Sequence, residues 1–210
     1  MKQNPLKDKT LPVVALLAGR RLDRMIDAMF GDLKIEDLWT TFFCVSADLT
    51  RAEMRVHDRG LLGRAVRASM SLPGIAIPVH DAGSMLVDGG LLNNLPVDVM
   101  RGMCGKVIAV DVSPAKDLVI TAPYPPAASG WRLLWGRRTS NLPTIGAILM
   151  RSVMLSSTRH QTAIAREADL FLHPSVETFG MFQWEAVDGI ADAGYRFARE
   201  ALAGGGFVVP

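Results

Sequence analysis

Hydrophobic and polar positions along this chain follow two periods, and the switches between them mark its elements. Over residues 12–30, Leu16, Leu17, Leu22, Ile26 and Met29–Phe30 recur at helical spacing and Gly31 is a stop signal, which predicts a helix. Residues 41–46 (Thr-Phe-Phe-Cys-Val-Ser) have the aromatic and β-branched make-up of a buried strand, and residues 53–57 alternate as a strand that pairs with it. Leu61, Ala65, Ala68 and Leu72 share one face of a helix over 61–71, with Arg64 and Arg67 outside that face. Pro73–Gly74 ends this helix. Residues 84–88 predict a strand running into Gly89–Gly90. Asn94 is then expected as the N-cap, and Pro96 in the first turn, of a helix ending near Gly102. Residues 106–112 (Lys-Val-Ile-Ala-Val-Asp-Val) form the apolar run expected of a parallel strand covered on both faces. Pro114, Pro123, Pro125, Pro126 and Pro143 punctuate a long loop over 113–142. A helical pattern returns from Ile145 to about Ala168, a strand follows at 169–173, and a final amphipathic helix over 184–202 is closed by Gly204–Gly206. Strand and helix alternate, so the expected class is α/β.

Composition narrows the function classes. The chain has 210 residues, 49% hydrophobic and 21% charged, which excludes disordered, collagen-like and coiled-coil readings and suits one domain. Lys and Arg number 23 against 21 Asp and Glu, and a net charge of +2 argues against bulk nucleic-acid binding. Two cysteines, Cys44 and Cys104, make no disulfide framework and suit a reduced cytosolic compartment. Leu11 to Gly19 is too short for a membrane span, which takes ~20 apolar residues. Asp8 and Arg20–Arg21 argue against a signal peptide. The expected location is therefore cytoplasmic, or peripheral at the cytoplasmic membrane face. His57, His80, His160 and His173 are scattered without ligand spacing, so no metal is expected, and no phosphate-cradling glycine motif stands in the chain, so no cofactor is expected either. Trp131, Trp135, Arg132, Arg137 and Arg138 combine interfacial aromatics with basic residues, a pattern that fits peripheral contact with anionic headgroups, although a solvated surface loop with Trp tucked against the core is the more ordinary reading.

The strongest local signal is Leu86-Val-Asp-Gly-Gly-Leu-Leu-Asn-Asn-Leu-Pro96. A strand delivers Asp88 to a sheet edge, and Gly89 and Gly90, without Cβ atoms, permit positive φ and close approach to a neighbour. Asn93 and Asn94 can hold the turn by hydrogen bonds. This reads as a rigid mount for one carboxylate, or as an ordinary hairpin turn, since Asp-Gly is a common turn dipeptide. A serine-hydrolase elbow, GxSxG, is absent from the 210 residues, and Ser69 and Ser71 read as helix-end residues.

At these residues the chain resembles the patatin-like phospholipases, in particular the neuropathy target esterase branch of lysophospholipases. The blocks that carry the resemblance are Ile35-Glu-Asp-Leu-Trp39, Phe42-Phe-Cys-Val-Ser46, Arg67-Ala-Ser-Met-Ser-Leu-Pro-Gly74, Leu86-Val-Asp-Gly-Gly90, Asn93-Asn-Leu-Pro-Val-Asp-Val-Met-Arg101 and Val107-Ile-Ala-Val-Asp-Val112. The likeness is densest over 11–112 and looser over 113–203. It implies a three-layer α/β/α sandwich and a Ser–Asp dyad that hydrolyses phospholipid or lysophospholipid esters without histidine. Asp88 matches the dyad's proton acceptor, Gly89 and Gly90 complete its motif, and Asn93 and Asn94 support it. The family's glycine-rich oxyanion loop and GxSxG serine both precede the region matching Leu11. The expectation is therefore that residues 1–210 are the C-terminal portion of a single patatin-like domain, incomplete at its N-terminal side and inactive alone. Such a chain would take its serine-bearing segment in trans or self-associate through an open sheet edge. The alternative is a non-catalytic remnant or interaction module that retains the half-fold; a nucleotide-binding α/β protein is the third reading.

Overall fold

Antiparallel pairing of four short strands builds the main sheet. A computed structural model describes residues 8, 10, 14–113, 152, 167–176, 178–179 and 183–204. Strands β1 (Cys44–Asp48), β2 (Glu53–His57), β3 (Val79–Asp81) and β4 (Ser84–Asp88) form a sheet of order β2-β1-β4-β3, every neighbouring pair antiparallel. β1 is buried on both faces from Val45 to Asp48, and the helix Leu62–Ser69 packs on it. β2 and β4 appear at the residues their alternation predicts; β1 runs two residues beyond the predicted Ser46, to Asp48. The β3–β4 hairpin, which periodicity misses in so short a strand, turns at Ala82 and Gly83, both with positive φ.

Helix α2 (Leu62–Ser69) packs on β1 and β4, and α1 (Arg20–Phe30) packs on α2. Ile35, Leu62 and Ala65 form the core between them, with Phe30, Leu38, Phe42, Cys44 and Val66 around it. Gly63 lets the two helices approach closely, since a Cβ there would lie 3.0 Å from Cγ2 of Ile26. The helix expected over 12–30 begins only at Arg20. Gly19 takes a φ of 80°, and the amides of Leu16 and Leu17 donate to the carbonyls of Gly74 and Ile75, each at 2.9 Å. Backbone pairing with a distant loop here overrides helical spacing.

Arg67 corrects a second expectation. It lies on the buried side of α2 rather than outside it. Its Nε donates to Asp23 Oδ1 of α1 at 2.7 Å, and its Nη1 donates to Ser71 Oγ at 2.5 Å. Arg67→Ala is expected to lower stability by about 2 kcal/mol, through loss of the charged donor to the fully buried Ser71 and of its stem packing. A shift of the denaturant midpoint at unchanged slope checks this.

Helix α3 (Val97–Arg101) and strands β5 (Ile108–Val110) and β6 (Leu170–Leu172) follow, the two strands pairing in parallel. Leu95, Val97, Val107 and Ala109 form their shared core. The run 106–112 was expected to be covered on both faces, but only one face is: Ile108, Val110 and Phe171 are exposed. Burial along β5 therefore alternates in a sequence that reads as continuous. Arg101 Nη1 pairs with Asp169 Oδ2 at 2.8 Å, fastening α3 to the start of β6. Helix α4 (Val187–Ala203), behind a 3-10 turn at Trp184–Ala186, stands where the final amphipathic pattern predicts it. The class is α/β. The predicted loop over 113–142 and the helical pattern over 145–168, with Trp131, Arg132, Trp135, Arg137 and Arg138, lie outside the described residues, except for Ser113, Ser152, Glu167 and Ala168.

Candidate functional site

Asp88 is placed by three separate pieces of backbone. β4 carries it to the end of the sheet, in register with Ser46 of β1. Its amide donates to the carbonyl of Ser71 at 3.0 Å, which ties the strand end to the loop after α2. That loop is itself fixed, because the Ser71 hydroxyl accepts from Arg67 Nη1 and donates to the Arg67 carbonyl at 2.6 Å. With its proton and its burial committed this way, Ser71 is a structural serine, as a helix-end reading expects.

Past Asp88 the chain makes a 3-10 turn, Gly89–Leu91, and continues into α3. The motif is therefore a strand-to-helix mount, and the hairpin reading of Asp-Gly does not hold. Its glycines serve close approach alone, since neither has a positive φ. A Cβ on Gly89 would lie 2.3 Å from the Val45 carbonyl oxygen. A Cβ on Gly90 would lie 2.9 Å from Asn94 Oδ1 and 3.1 Å from Asp88 Oδ1. The freed space lets the Gly90 amide donate to Asp88 Oδ1 at 2.8 Å. Among the described residues that amide is the donor to this carboxylate.

The two asparagines hold the turn, but not as expected. Asn94 is not an N-cap: Pro96 occupies that position, without a side-chain cap, and Asn94 Nδ2 instead donates to Ser113 Oγ at 2.9 Å. Asn93 is buried, its amide donates to the Gly89 carbonyl at 2.9 Å, and its Nδ2 donates to Asp98 Oδ1 in the first turn of α3 at 2.8 Å. Its Oδ1 is buried without a hydrogen-bond partner.

Electrostatics set Asp88 apart. Burial pushes its carboxyl above the ordinary carboxylate range, and the Gly90 amide offsets only part of that. Asp48 and Asp169 shift the other way. Asp48 is held low by the Ser84 hydroxyl and then by the amides of Thr50 and Arg51, and Asp169 by the Val107 amide and by Arg101. An acid whose folded pKa is raised favours the fold while protonated, and that contribution is lost as pH rises through the folded value. Asp88→Asn is therefore expected to melt at or above the wild-type temperature at pH 7, with the difference vanishing below the unfolded carboxyl value of about 3.9. Thermal melts at the two pH values check the sign.

A half-buried carboxylate with a raised pKa and one backbone donor is a better base than a free one. The described residues near it offer no nucleophile in a matching state. Ser46 is fully buried and hydrogen-bonded to His57 at 2.8 Å. The Cys44 thiol is pushed up to about 11 by burial, so it stays protonated. Among the described residues no three His, Cys, Asp or Glu side chains converge as metal ligands, and no helix is long and apolar enough to cross a membrane. Residue spacing leaves two supports of Asp88 unmarked: Ser46, its register partner, and Arg67, which holds the Ser71 loop that binds the Asp88 amide. Alternation in Cys44-Val-Ser-Ala-Asp48, which sets Ser46 and Asp48 on one face, is the signal that points to Ser46.

The family model for patatin-like phospholipase matches residues 4–101, which takes in β1 to β4, the Asp88 turn and α3. The chain is 37% identical over 209 residues to patatin-like phospholipase domain-containing protein 6 of Mus musculus, covering 95% of this chain and 15% of that protein. It is 40% identical over 207 residues to an uncharacterized NTE family protein of Mycobacterium tuberculosis, covering 95% of this chain and 35% of that protein. Patatin-like phospholipase domain-containing protein 7 of Mus musculus is 36% identical over 202 residues, covering 91% of this chain and 15% of that protein. The chain thus spans a minor part of the relatives it matches. By the family match and these identities, the chain belongs to the patatin-like phospholipase family.

Proposed function

We propose that this chain supplies the aspartate of a Ser–Asp lipid acyl hydrolase acting on phospholipid or lysophospholipid esters. The observation that carries this is the Asp88 mount: a half-buried carboxylate with raised basicity, fixed by a turn that only glycine can make at position 89. In this reading the serine belongs to protein outside these 210 residues, which are the C-terminal portion of a patatin-like domain. Asp88 takes the serine proton as the serine oxygen attacks the ester carbonyl. It returns that proton to the departing alcohol, then takes a proton from the attacking water and passes it to the serine oxygen as the fatty acid is released. The oxyanion donors also come with the serine-bearing segment. Peripheral contact with the cytoplasmic membrane face, through Trp131, Trp135, Arg137 and Arg138, and self-association through the exposed side of β5–β6 belong to the same proposal.

The absence of GxSxG from the 210 residues also favours a second reading, a non-catalytic module. Assay of ester hydrolysis and of fluorophosphonate labelling separates them. The chain alone is expected to show neither, and fusion behind a segment bearing a GxSxG serine is expected to give both. A fused protein that folds and takes up no fluorophosphonate favours the non-catalytic module.

A further inference from the structure

We propose that His57 is a positioning residue for Asp88, acting through the Ser46 hydroxyl; this rests on the reading of Asp88 given above. Ser46 is fully buried and is the register partner of Asp88 across β1 and β4. Directly paired residues of an antiparallel sheet project to one face with Cβ atoms ~5 Å apart. On its other side Ser46 Oγ lies 2.8 Å from His57 Nε2. Buried away from water, the hydroxyl has His57 as its hydrogen-bond partner and Asp88 as its cross-strand neighbour.

A hydroxyl carries one proton, and that makes the arrangement directional. When His57 is neutral with its proton on Nδ1, Ser46 donates to Nε2 and turns lone pairs toward Asp88. When Nε2 carries a proton, as in the imidazolium, it donates to Ser46 and leaves the hydroxyl proton free to point at Asp88. The protonation state of His57 thus decides whether Asp88 faces lone pairs or a donor. His57 exchanges protons with solvent because it lines an open cleft of about 220 Å³ with Gly60, Leu61, Arg64, Ala65, Asp81 and Leu86.

The charges facing His57 come from every element around it. Arg55 lies two residues before it on β2, and Asp58 follows it. Asp81 of β3 is held by Arg55 at 2.7 Å and by Arg64 of α2 at 3.0 Å. Cys44 is its register partner on β1 and carries a neutral thiol. Burial, with Arg55, holds the imidazole below its ordinary value, so His57 is neutral at pH 7 and Asp88 keeps its full basicity. Acidification charges His57 and weakens the base beside it.

The test is an NMR titration of the His57 imidazole and the Asp88 carboxyl carbon in the 210-residue chain. Asp88→Asn is expected to lower the His57 midpoint, and His57→Gln to raise the Asp88 midpoint, by equal amounts of about 0.5 unit or more. Ser46→Ala should shrink both shifts and Ser46→Thr restore them. Midpoints that ignore the partner substitution, in variants with native amide spectra, overturn the proposal even where Ser46→Ala does not fold. An Asp88 variant that keeps ester hydrolysis while the midpoints remain coupled removes the catalytic reading alone. Lost hydrolysis without coupling removes this one alone.

Discussion

Gly89→Ala is expected to destabilise the fold by about 3 kcal/mol or more, the largest stability loss of any glycine in the site. The added methyl would sit 2.3 Å from the Val45 carbonyl oxygen and 2.7 Å from both the Val45 carbonyl carbon and Cγ2. The obstacle is mainly backbone, and β1 cannot retreat because β2 pairs along its whole length on the far side. The turn must yield instead, carrying Asp88 away from the Gly90 amide and the Ser71 carbonyl. Two other glycines grade the effect. At Gly90 the nearest atom is Asn94 Oδ1 on an exposed side chain that can rotate, so Gly90→Ala should cost about 1 kcal/mol. At Gly105 nothing lies within 4 Å, so alanine there should be close to neutral. Denaturant unfolding of the three variants should rank them in that order.

Asp88→Asn is expected to lower ester hydrolysis by about a thousandfold in a serine-complete protein. The amide keeps the size and shape of the carboxyl, and its oxygen can still accept from Gly90. It cannot take a proton from serine. The same substitution is expected to leave the melting temperature at pH 7 unchanged or raised, because the buried carboxylate is ionised at a cost to the fold. A residue that lowers stability in its working state and abolishes activity when neutralised behaves as a site residue rather than a structural one. Paired Asp48 and Asp169, with lowered pKa, should do the opposite: neutralising either lowers stability at pH 7.

The legible parts of this fold were those where a local pattern and the tertiary contacts agree. β2, β4 and α4 lie where alternation or helical spacing puts them, because one face of each pattern meets the environment its polarity predicts. The start of α1 was illegible because Leu16 and Leu17 are spaced for a helix yet spend their amides on Gly74 and Ile75. Arg67 reads as solvated from sequence because a charged residue on a helix ordinarily is, whereas its partners Asp23 and Ser71 come from α1 and the loop beyond α2. The Asp88 turn was legible as a mount for a carboxylate, since Gly-Gly after a strand signals close approach. Which neighbour is approached, the Val45 carbonyl, depends on β1 pairing with β4. The alternative of a hairpin falls on the same ground, because β4 already pairs with β3 and β1 and the chain beyond Gly89 turns into a helix.

The central claim is that Asp88 is the base of an acyl hydrolase, and one comparison tests it most directly. The chain is fused behind a segment carrying a GxSxG serine, and the rate of lysophosphatidylcholine hydrolysis is measured for the wild-type sequence and for Asp88→Asn at pH 7, with melting temperature recorded on the same samples. The prediction is hydrolysis by the wild type and a loss of about a thousandfold in the variant at equal or higher melting temperature. A folded Asp88→Asn protein that hydrolyses the lipid within about tenfold of wild type, less than the about hundredfold a positioned base contributes at least, would contradict it.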